Sequence, residues 1–191
     1  ALPILTGRLT WNGCGADDNW SSSPNWSGGS APGYAGDTLT FAGATRLTPN
    51  MEANYSVTDV TFDGSAGSFV IGATGSALTL TGSGIVNYSA NAQTLNVPVI
   101  TTAAATFNAS SGNLTLGQSV TNAGNLVTFA GGSSNVVSGG ISGAGGLSKY
   151  DGGTLVLNGT NTYSGGTYID NGTIQVGGAS SLGVSNIYAG N

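Results

Sequence analysis

Residues 150–160 (YDGGTLVLNGT) and 169–179 (IDNGTIQVGGA) carry the same pattern of Asp, Gly, Thr and apolar positions when Tyr150 is aligned with Ile169, without a gap. Within each segment the apolar residues alternate with other residues, as in Leu155 and Leu157 around Val156. Alternation with period 2 places one set of side chains on each face of a strand. The two segments are therefore predicted to be the same strand in two successive structural units.

The same short apolar pattern recurs upstream at looser intervals. It is found at Leu39–Phe41, Val60–Phe62, Leu78–Leu80, Leu95–Val97, Leu114–Leu116 and Val127–Phe129. A unit of about 19 residues with two or three short strands cannot bury its own apolar face. Stacking such units about 4.8 Å apart forms a continuous core, which predicts a parallel β-helix, that is, a β-solenoid. A β-sandwich, which also uses many short strands, is the alternative fold.

The composition favours an all-β chain of about one domain in length. The 191 residues include 34 Gly, and only 6% are charged, against about a quarter in an average domain. Residues that favour helices are scarce, since the sequence contains one Glu, one Met and one Lys. Short runs of Thr, Val, Ile, Leu, Phe and Tyr lie between Gly, Asn and Ser, as is typical of strands and turns.

Charge and residue content exclude several function classes. The net charge is −5, and the three basic residues, Arg8, Arg46 and Lys149, are isolated in sequence, so nucleic-acid binding is not expected. No run of 18 apolar residues is present, so no membrane-spanning helix is expected. A single Cys14 and no His leave no intrachain disulfide, no Cys–His metal set and no Ser-His-Asp triad. The first residue is Ala1, which favours a processed, secreted product.

The first part of the chain differs from the rest. Residues 1–37 contain all three tryptophans, Trp11, Trp20 and Trp26, together with Cys14. Because an open solenoid exposes a layer of core and an unpaired strand edge, we interpret residues 1–37 as an N-terminal segment with an aromatic cap, and residues 38–191 as the solenoid repeats. The alternative is a sugar-binding platform, with Trp11, Trp20 and Trp26 as glycan contacts, which requires exposed rings.

Residues 151–167 (DGGTLVLNGTNTYSGGT) and 170–176 (DNGTIQV) resemble the autotransporter-associated β-strand repeat, also called the passenger-associated transport repeat. The upstream segments Asn19-Trp20, Asn25–Ser27 and 36–41 (GDTLTF) resemble the opening segment of long proteins with that repeat. The resemblance implies a right-handed parallel β-helix outside a bacterial cell, either secreted or on the surface. The repeat carries no catalytic residues to transfer.

Carboxylates are the remaining candidates for acid–base or metal chemistry. Asp59 and Asp63, four residues apart on a strand, lie too far from each other for a glycosidase pair. Asp151 and Asp170 are expected in adjacent coils, where two carboxylates form part of a Ca²⁺ site or, as the favoured interpretation, cap turns. We therefore predict no cofactor and no catalytic residue, with Ca²⁺ as the alternative.

The surface expected from this sequence is neutral and rich in Ser, Thr and Asn, so little charge protects a strand edge from association. We predict a non-enzymatic structural subunit that assembles head to tail with other copies of itself into a filament. The N-terminal apolar segment would dock on the open C-terminal coil, and the candidate interface residues are Leu2, Ile4, Leu5, Ile174, Val176 and Ile187. An adhesin that binds surface glycans and a polysaccharide-degrading enzyme are the alternatives.

Overall fold

The computed structural model describes residues 7–33, 36–177, 182–184 and 186–190. Within these ranges the chain forms short β-strands and one 3₁₀ turn, Ser23–Asn25, and has no α-helix. The strands are β1 (Arg8–Trp11), β2 (Thr38–Phe41), β3 (Asn50–Met51), β4 (Tyr55–Phe62), β5 (Val70–Ala73), β6 (Leu78–Asn87), β7 (Gln93–Asn96), β8 (Val99–Thr101), β9 (Ala105–Ala109), β10 (Leu114–Leu116), β11 (Val120–Thr121), β12 (Val127–Ala130), β13 (Asn135–Val137), β14 (Ile141–Ser142), β15 (Leu147–Lys149), β16 (Thr154–Leu157), β17 (Thr167–Ile169), β18 (Thr173–Val176) and β19 (Ile187–Ala189).

The strands stack in parallel as a β-solenoid of about seven turns, which confirms the predicted fold. We call the sequence of pairs β1-β2-β4-β6-β9-β12-β15-β17-β19 the long face. The first halves of β4 and β6 continue into β8, β11 and β14, which form the short face. The opposing sheet contains β3, β5, β7, β10, β13, β16 and β18 in this order.

The coil length varies, and the regular spacing expected from the sequence applies only near the C-terminal end. Thr154 pairs with Thr173 and Leu155 with Ile174, which confirms the predicted equivalence of the two segments. On the long face, Asp59 pairs with Gly84, so the coil between these two residues contains more residues than the coil between Thr154 and Thr173. The upstream segments also belong to different faces, so they are not one regular series of equivalent strands.

Inward rows of apolar side chains form the core. On the long face, Phe41 stacks on Phe62 with ring centroids 5.3 Å apart, and Phe107 stacks on Phe129 at 5.2 Å. In the opposing sheet, Leu155 and Leu157 are fully buried. Each such side chain contributes roughly 1.5–3 kcal/mol by leaving water. Stacked equivalent side chains therefore supply the driving force that a single coil lacks.

Buried asparagines connect the coils at their turns. The Asn122 side chain accepts the backbone N–H of Gly145, in the following coil, at 2.9 Å. The Asn161 side chain accepts the N–H of Ile141 at 2.9 Å. Because the amide oxygen accepts these hydrogen bonds without a net charge, it satisfies turn backbone groups where a carboxylate would be costly to bury.

Candidate functional site

The three tryptophans lie in the core, at the N-terminal end of the solenoid. Trp11 and Trp20 are 0% exposed and Trp26 is 1% exposed. The ring of Trp26 meets Trp11 edge to face at 5.2 Å, and all three rings pack against Phe41 at about 6 Å. The sugar-binding platform required exposed rings, so Trp11, Trp20 and Trp26 as glycan contacts are corrected here to core residues. The rings are buried because they cover the end of the aromatic row on the long face.

The segment that carries the tryptophans forms one isolated bridge with the N-terminal strand of each sheet. Trp26 forms an antiparallel bridge with Trp11 of β1, and the Ser27 N–H donates to the Thr10 carbonyl at 2.8 Å. Asn19 forms a parallel bridge with Asn50 of β3. Bridges at a sheet edge are expected of a cap. The cap and the division of the chain at residue 37 both stay predictions, because β1 itself belongs to the long face.

Polar contacts fix this segment in place. The buried side chain of Asn25 donates Nδ2 hydrogens to the carbonyls of Asp17 and Asn19 and accepts the N–H of Gly15 at 2.8 Å. A hydrogen bond from the Arg46 guanidinium, 2.8 Å from Asp18 Oδ1, holds the pKa of that carboxyl below its usual value. The Asp17 carboxylate accepts the N–H of Asn19 at 3.0 Å and the hydroxyl of Ser22 at 2.6 Å, so Asp17 stabilises the loop itself, while Asp18 ties the loop to Arg46.

Asp151 and Asp170 serve the turns between sheets. The Asp151 carboxylate accepts the backbone N–H of Gly131 at 3.0 Å, and its backbone has a φ of 63°. Asp170 accepts a weak hydrogen bond from the Ser148 hydroxyl at 3.4 Å. Among the described residues, no group of three or more His, Cys, Asp or Glu side chains converges as a metal site would require. A Ca²⁺ site at Asp151 and Asp170 stays a prediction without further support.

Lys149, which in the sequence is only an isolated basic residue, is buried in the structure. Its side chain is 0% exposed, and Nζ donates hydrogen bonds to the carbonyls of Tyr150 at 2.5 Å and Asp151 at 2.7 Å. Burial lowers the pKa of this ammonium, opposed by the charge of Asp151. The two carbonyls belong to the turn after β15, so the hydrogen bonds from Lys149 stabilise that turn.

The C-terminal end of the described solenoid exposes its core rows. Ile174 and Val176 continue the inward row of Leu155 and Leu157, yet Val176 is 39% exposed. Ile187 pairs with the buried Thr167 and is 54% exposed. In the part of the chain that the structure describes, β18 and β19 have no strand on their outer edges. The other three candidate interface residues, Leu2, Ile4 and Leu5, lie outside the described residues.

A depression of about 260 Å³ lies on the outer side of the long face, where β4, β6 and β9 run side by side. Opposite the single residue Thr58 of β4, β6 carries the three residues 81–83, so the strand bulges. The carboxylate of Asp59 holds the bulge, because Oδ1 accepts the N–H of Ser83 at 2.6 Å and of Gly84 at 3.1 Å. Gly84 pairs with Asp59 on one side and Thr106 on the other, so the centre of this rung has no side chain.

Outward side chains from three strands surround this floor. Thr61, Val86 and Asn108 form the next row of outward-facing residues across the three strands. Tyr88 lies beside this row, with 53% of its surface exposed. From the sequence, Asp59 was considered only as a partner for Asp63, which instead accepts the N–H and hydroxyl of Ser65. The Gly-Ser-Gly run 82–84, inside an otherwise β-rich segment, could have indicated the bulge, because glycine within a strand often marks one.

No curated protein and no solved structure matches this chain at a significant level. In the described residues there is no helix that is long and apolar enough to cross a membrane. Residues 147–176, which run from the start of β15 to the end of β18, match the family model of the passenger-associated transport repeat, and the resemblance read from the sequence is thereby confirmed for this segment.

Proposed function

We propose that this chain is a non-enzymatic, extracellular structural protein of a bacterium, a solenoid subunit that assembles head to tail. The repeat at residues 147–176 supports a passenger-like protein that is secreted or on the cell surface. The carboxylates of Asp59 and Asp151 each accept backbone N–H groups of a neighbouring coil, which is a structural use of these side chains. The repeat and the solenoid fold are both typical of non-catalytic passengers.

The difference between the two ends of the solenoid carries this proposal. At the N-terminal end, the bridges Trp11–Trp26 and Asn19–Asn50 occupy the sheet edges. At the other end, Val176 and Ile187 belong to inward rows and remain substantially exposed. An exposed core layer with open strand edges is a template for one more coil. Because the two ends differ, the contact is heterologous and repeats along an axis.

The N-terminal apolar segment of a second copy, with Leu2, Ile4 and Leu5, is the proposed occupant of this end. It is chosen because the edge of β1 is already bridged at Trp11 and thus less available for pairing. Low charge favours the association, since only 6% of the residues are charged and few like charges would oppose each other at the junction.

Sedimentation velocity across a range of protein concentrations tests this proposal. The wild-type chain is expected to form larger species as concentration rises, and Val176→Lys is expected to reduce them because it places a charge in the exposed core row. Thr115→Lys is the matched control, since Thr115 is a partly exposed residue of β10 between two paired strands. A wild type that stays monomeric, or a Val176→Lys variant that assembles like wild type, contradicts head-to-tail assembly.

Glycan binding is the second candidate function. It is favoured by the depression beside Asp59 and Tyr88 and not by the buried tryptophans.

A further inference from the structure

We propose that the depression on the long face is a binding site for a neutral saccharide. We call it the β4–β6–β9 groove and define it by Asp59, Thr61, Gly84, Tyr88, Thr106 and Asn108. The inference rests on the second candidate function, glycan binding, and is independent of head-to-tail assembly, because the groove lies on the side of the solenoid and not at its end.

The shape of the groove is set by the backbone of β6 and not by side chains alone. Its floor is Gly84, which has a φ of +116°, and a Cβ on this residue would collide with the backbone carbonyl of Thr106. Gly82 is less restricted, because its φ is ordinary and its Cβ would mainly meet the Thr58 side chain. The bulge of β6 is therefore fixed, and the groove keeps its shape before any ligand arrives, which lowers the entropic cost of binding.

The polar groups of the groove match sugar hydroxyls. Asp59 uses Oδ1 to hold the bulge, and Oδ2 has no partner among the described residues, so it can accept a hydrogen bond from a ligand hydroxyl. The hydroxyls of Thr61 and Thr106 can donate and accept. The Oδ1 atom of Asn108 is buried and lies against Gly131 in the next coil, so Asn108 contributes to the shape of the groove and its oxygen is not an acceptor for the ligand. Several such groups converging on one small depression are typical of a site that fixes a ligand's orientation.

Tyr88 supplies the apolar part of the site. Its exposed ring offers a flat face for the C–H groups of a pyranose, and its hydroxyl remains available to water or ligand. Val86 adds an apolar contact on the groove's floor. The volume of about 260 Å³ lies just below the ~300 Å³ at which small-molecule pockets begin, so the groove is expected to hold one sugar unit of a longer chain.

The charge and topology of the groove restrict the ligand further. Asp59 is the one charged residue in the lining, and no lining residue is basic, so a uronic acid or a sulfated sugar would meet repulsion without a cation to pair with. A peptide that binds by strand addition is disfavoured, because β4, β6 and β9 are paired on both sides. A neutral saccharide is the ligand class that fits both restrictions.

Saturation-transfer NMR on the full chain, followed by titration, tests the proposal. The probes are cellotriose, maltotriose, mannotriose and chitotriose, with trigalacturonic acid as the acidic comparison. We expect at least one neutral probe to bind, with a Kd of order millimolar, and the acidic probe not to bind. Tyr88→Ala is expected to weaken binding about tenfold or more, while Tyr88→Phe retains most of it.

Tyr150→Ala is the matched control, because Tyr150 is 55% exposed and its N–H donates to Phe129 as that of Tyr88 donates to Phe62, but it lies outside the groove. It is expected to bind like wild type. Thr61→Val, which removes one hydroxyl at nearly constant shape, provides a second variant and is expected to weaken binding severalfold. Circular dichroism confirms that each variant is folded. Absence of binding by all neutral probes, equal binding of the acidic probe, or unchanged binding by Tyr88→Ala overturns the proposal.

Discussion

The indole Nε1 of Trp26 donates a 2.7 Å hydrogen bond to the backbone carbonyl of Trp20, and the two rings meet edge to face at 88° with centroids 5.8 Å apart. This pair connects the part of the loop next to the Asn19–Asn50 bridge with the part that bridges β1 through Trp11. The indole Nε1 of Trp20, in contrast, is buried and has no hydrogen-bond partner in the described part of the chain. Two buried tryptophans of the same cluster thus differ in one hydrogen bond.

This difference predicts unequal effects of Trp20→Phe and Trp26→Phe. Both substitutions remove similar apolar volume, but only Trp26→Phe leaves a buried carbonyl without its donor, which costs about 1 kcal/mol or more. Trp26→Phe is therefore expected to lower the free energy of unfolding by about 1 kcal/mol more than Trp20→Phe, as measured by urea denaturation. Equal destabilisation by the two variants would show that the hydrogen bond contributes nothing.

Gly84→Ala is predicted to be strongly destabilising. The substitution places a Cβ against the Thr106 carbonyl at a backbone φ of +116°, so either the bulge or the neighbouring strand must move. We expect a loss of roughly 2–4 kcal/mol, which corresponds to a fall in Tm of about 5–15 °C for a chain of this size. Gly64→Ala, at a position with open space around it, is the control and should leave Tm nearly unchanged. Similar Tm values for the two variants contradict a fixed groove floor.

Lys149 predicts a specific dependence of stability on pH. Because burial lowers its pKa in the folded state, the unfolded chain binds more protons in the pH range just below 10.5. Stability from this group therefore rises as pH increases through the folded-state pKa towards 10.5. The variant Lys149→Met lacks this contribution, so the difference in unfolding free energy between wild type and variant should grow in favour of wild type over that range.

Chemical denaturation of both proteins at a series of pH values measures this difference and cancels the other titrating groups. At neutral pH, Lys149→Met is also expected to be less stable by about 1–3 kcal/mol, because the carbonyls of Tyr150 and Asp151 lose their donor. A pH-independent difference would contradict a lowered pKa for Lys149.

The Asp18–Arg46 ion pair predicts a second dependence of stability on pH, of the same sense as that of Lys149 but in the acid range. The folded-state pKa of Asp18 lies below the ordinary 3.8, so its contribution to stability is present above 3.8 and is lost as pH falls through the folded value. Asp18→Asn should remove that part of the acid sensitivity. Since both side chains are about one third exposed, the effect at neutral pH is small, about 0.5–1 kcal/mol, and weakens with salt. Acid titrations that superimpose for variant and wild type contradict this role.

The sequence was sufficient to predict the solenoid, because its apolar alternation is repeated at equivalent positions. The predicted equivalence of Leu155 and Ile174 is the register that the structure has. Leu95 and Leu114 each begin an apolar motif in the sequence, but the structure shifts these two motifs by two residues, since Leu95 pairs with Leu116. A slip of two residues preserves the inward and outward pattern, so hydrophobic alternation alone does not distinguish the two registers.

The position of the candidate groove could not be predicted from the apolar alternation, because the alternation does not show where a strand bulges. Asp59 and Gly84 come together only because residues 81–83 bulge, which lengthens that coil relative to the one that joins Thr154 to Thr173. Likewise, the burial of Trp20 depends on the loop folding back over Phe41, a long-range contact that composition does not reveal. In both places local sequence identified the unusual residues but not their neighbours across coils.

Negative-stain electron microscopy of the purified chain at physiological salt, with and without residues 1–6, tests the central claim most directly. Head-to-tail assembly through an N-terminal donor predicts regular filaments for the full chain and their loss on deletion. Monodisperse particles in both samples, or filaments that persist after the deletion, contradict the account.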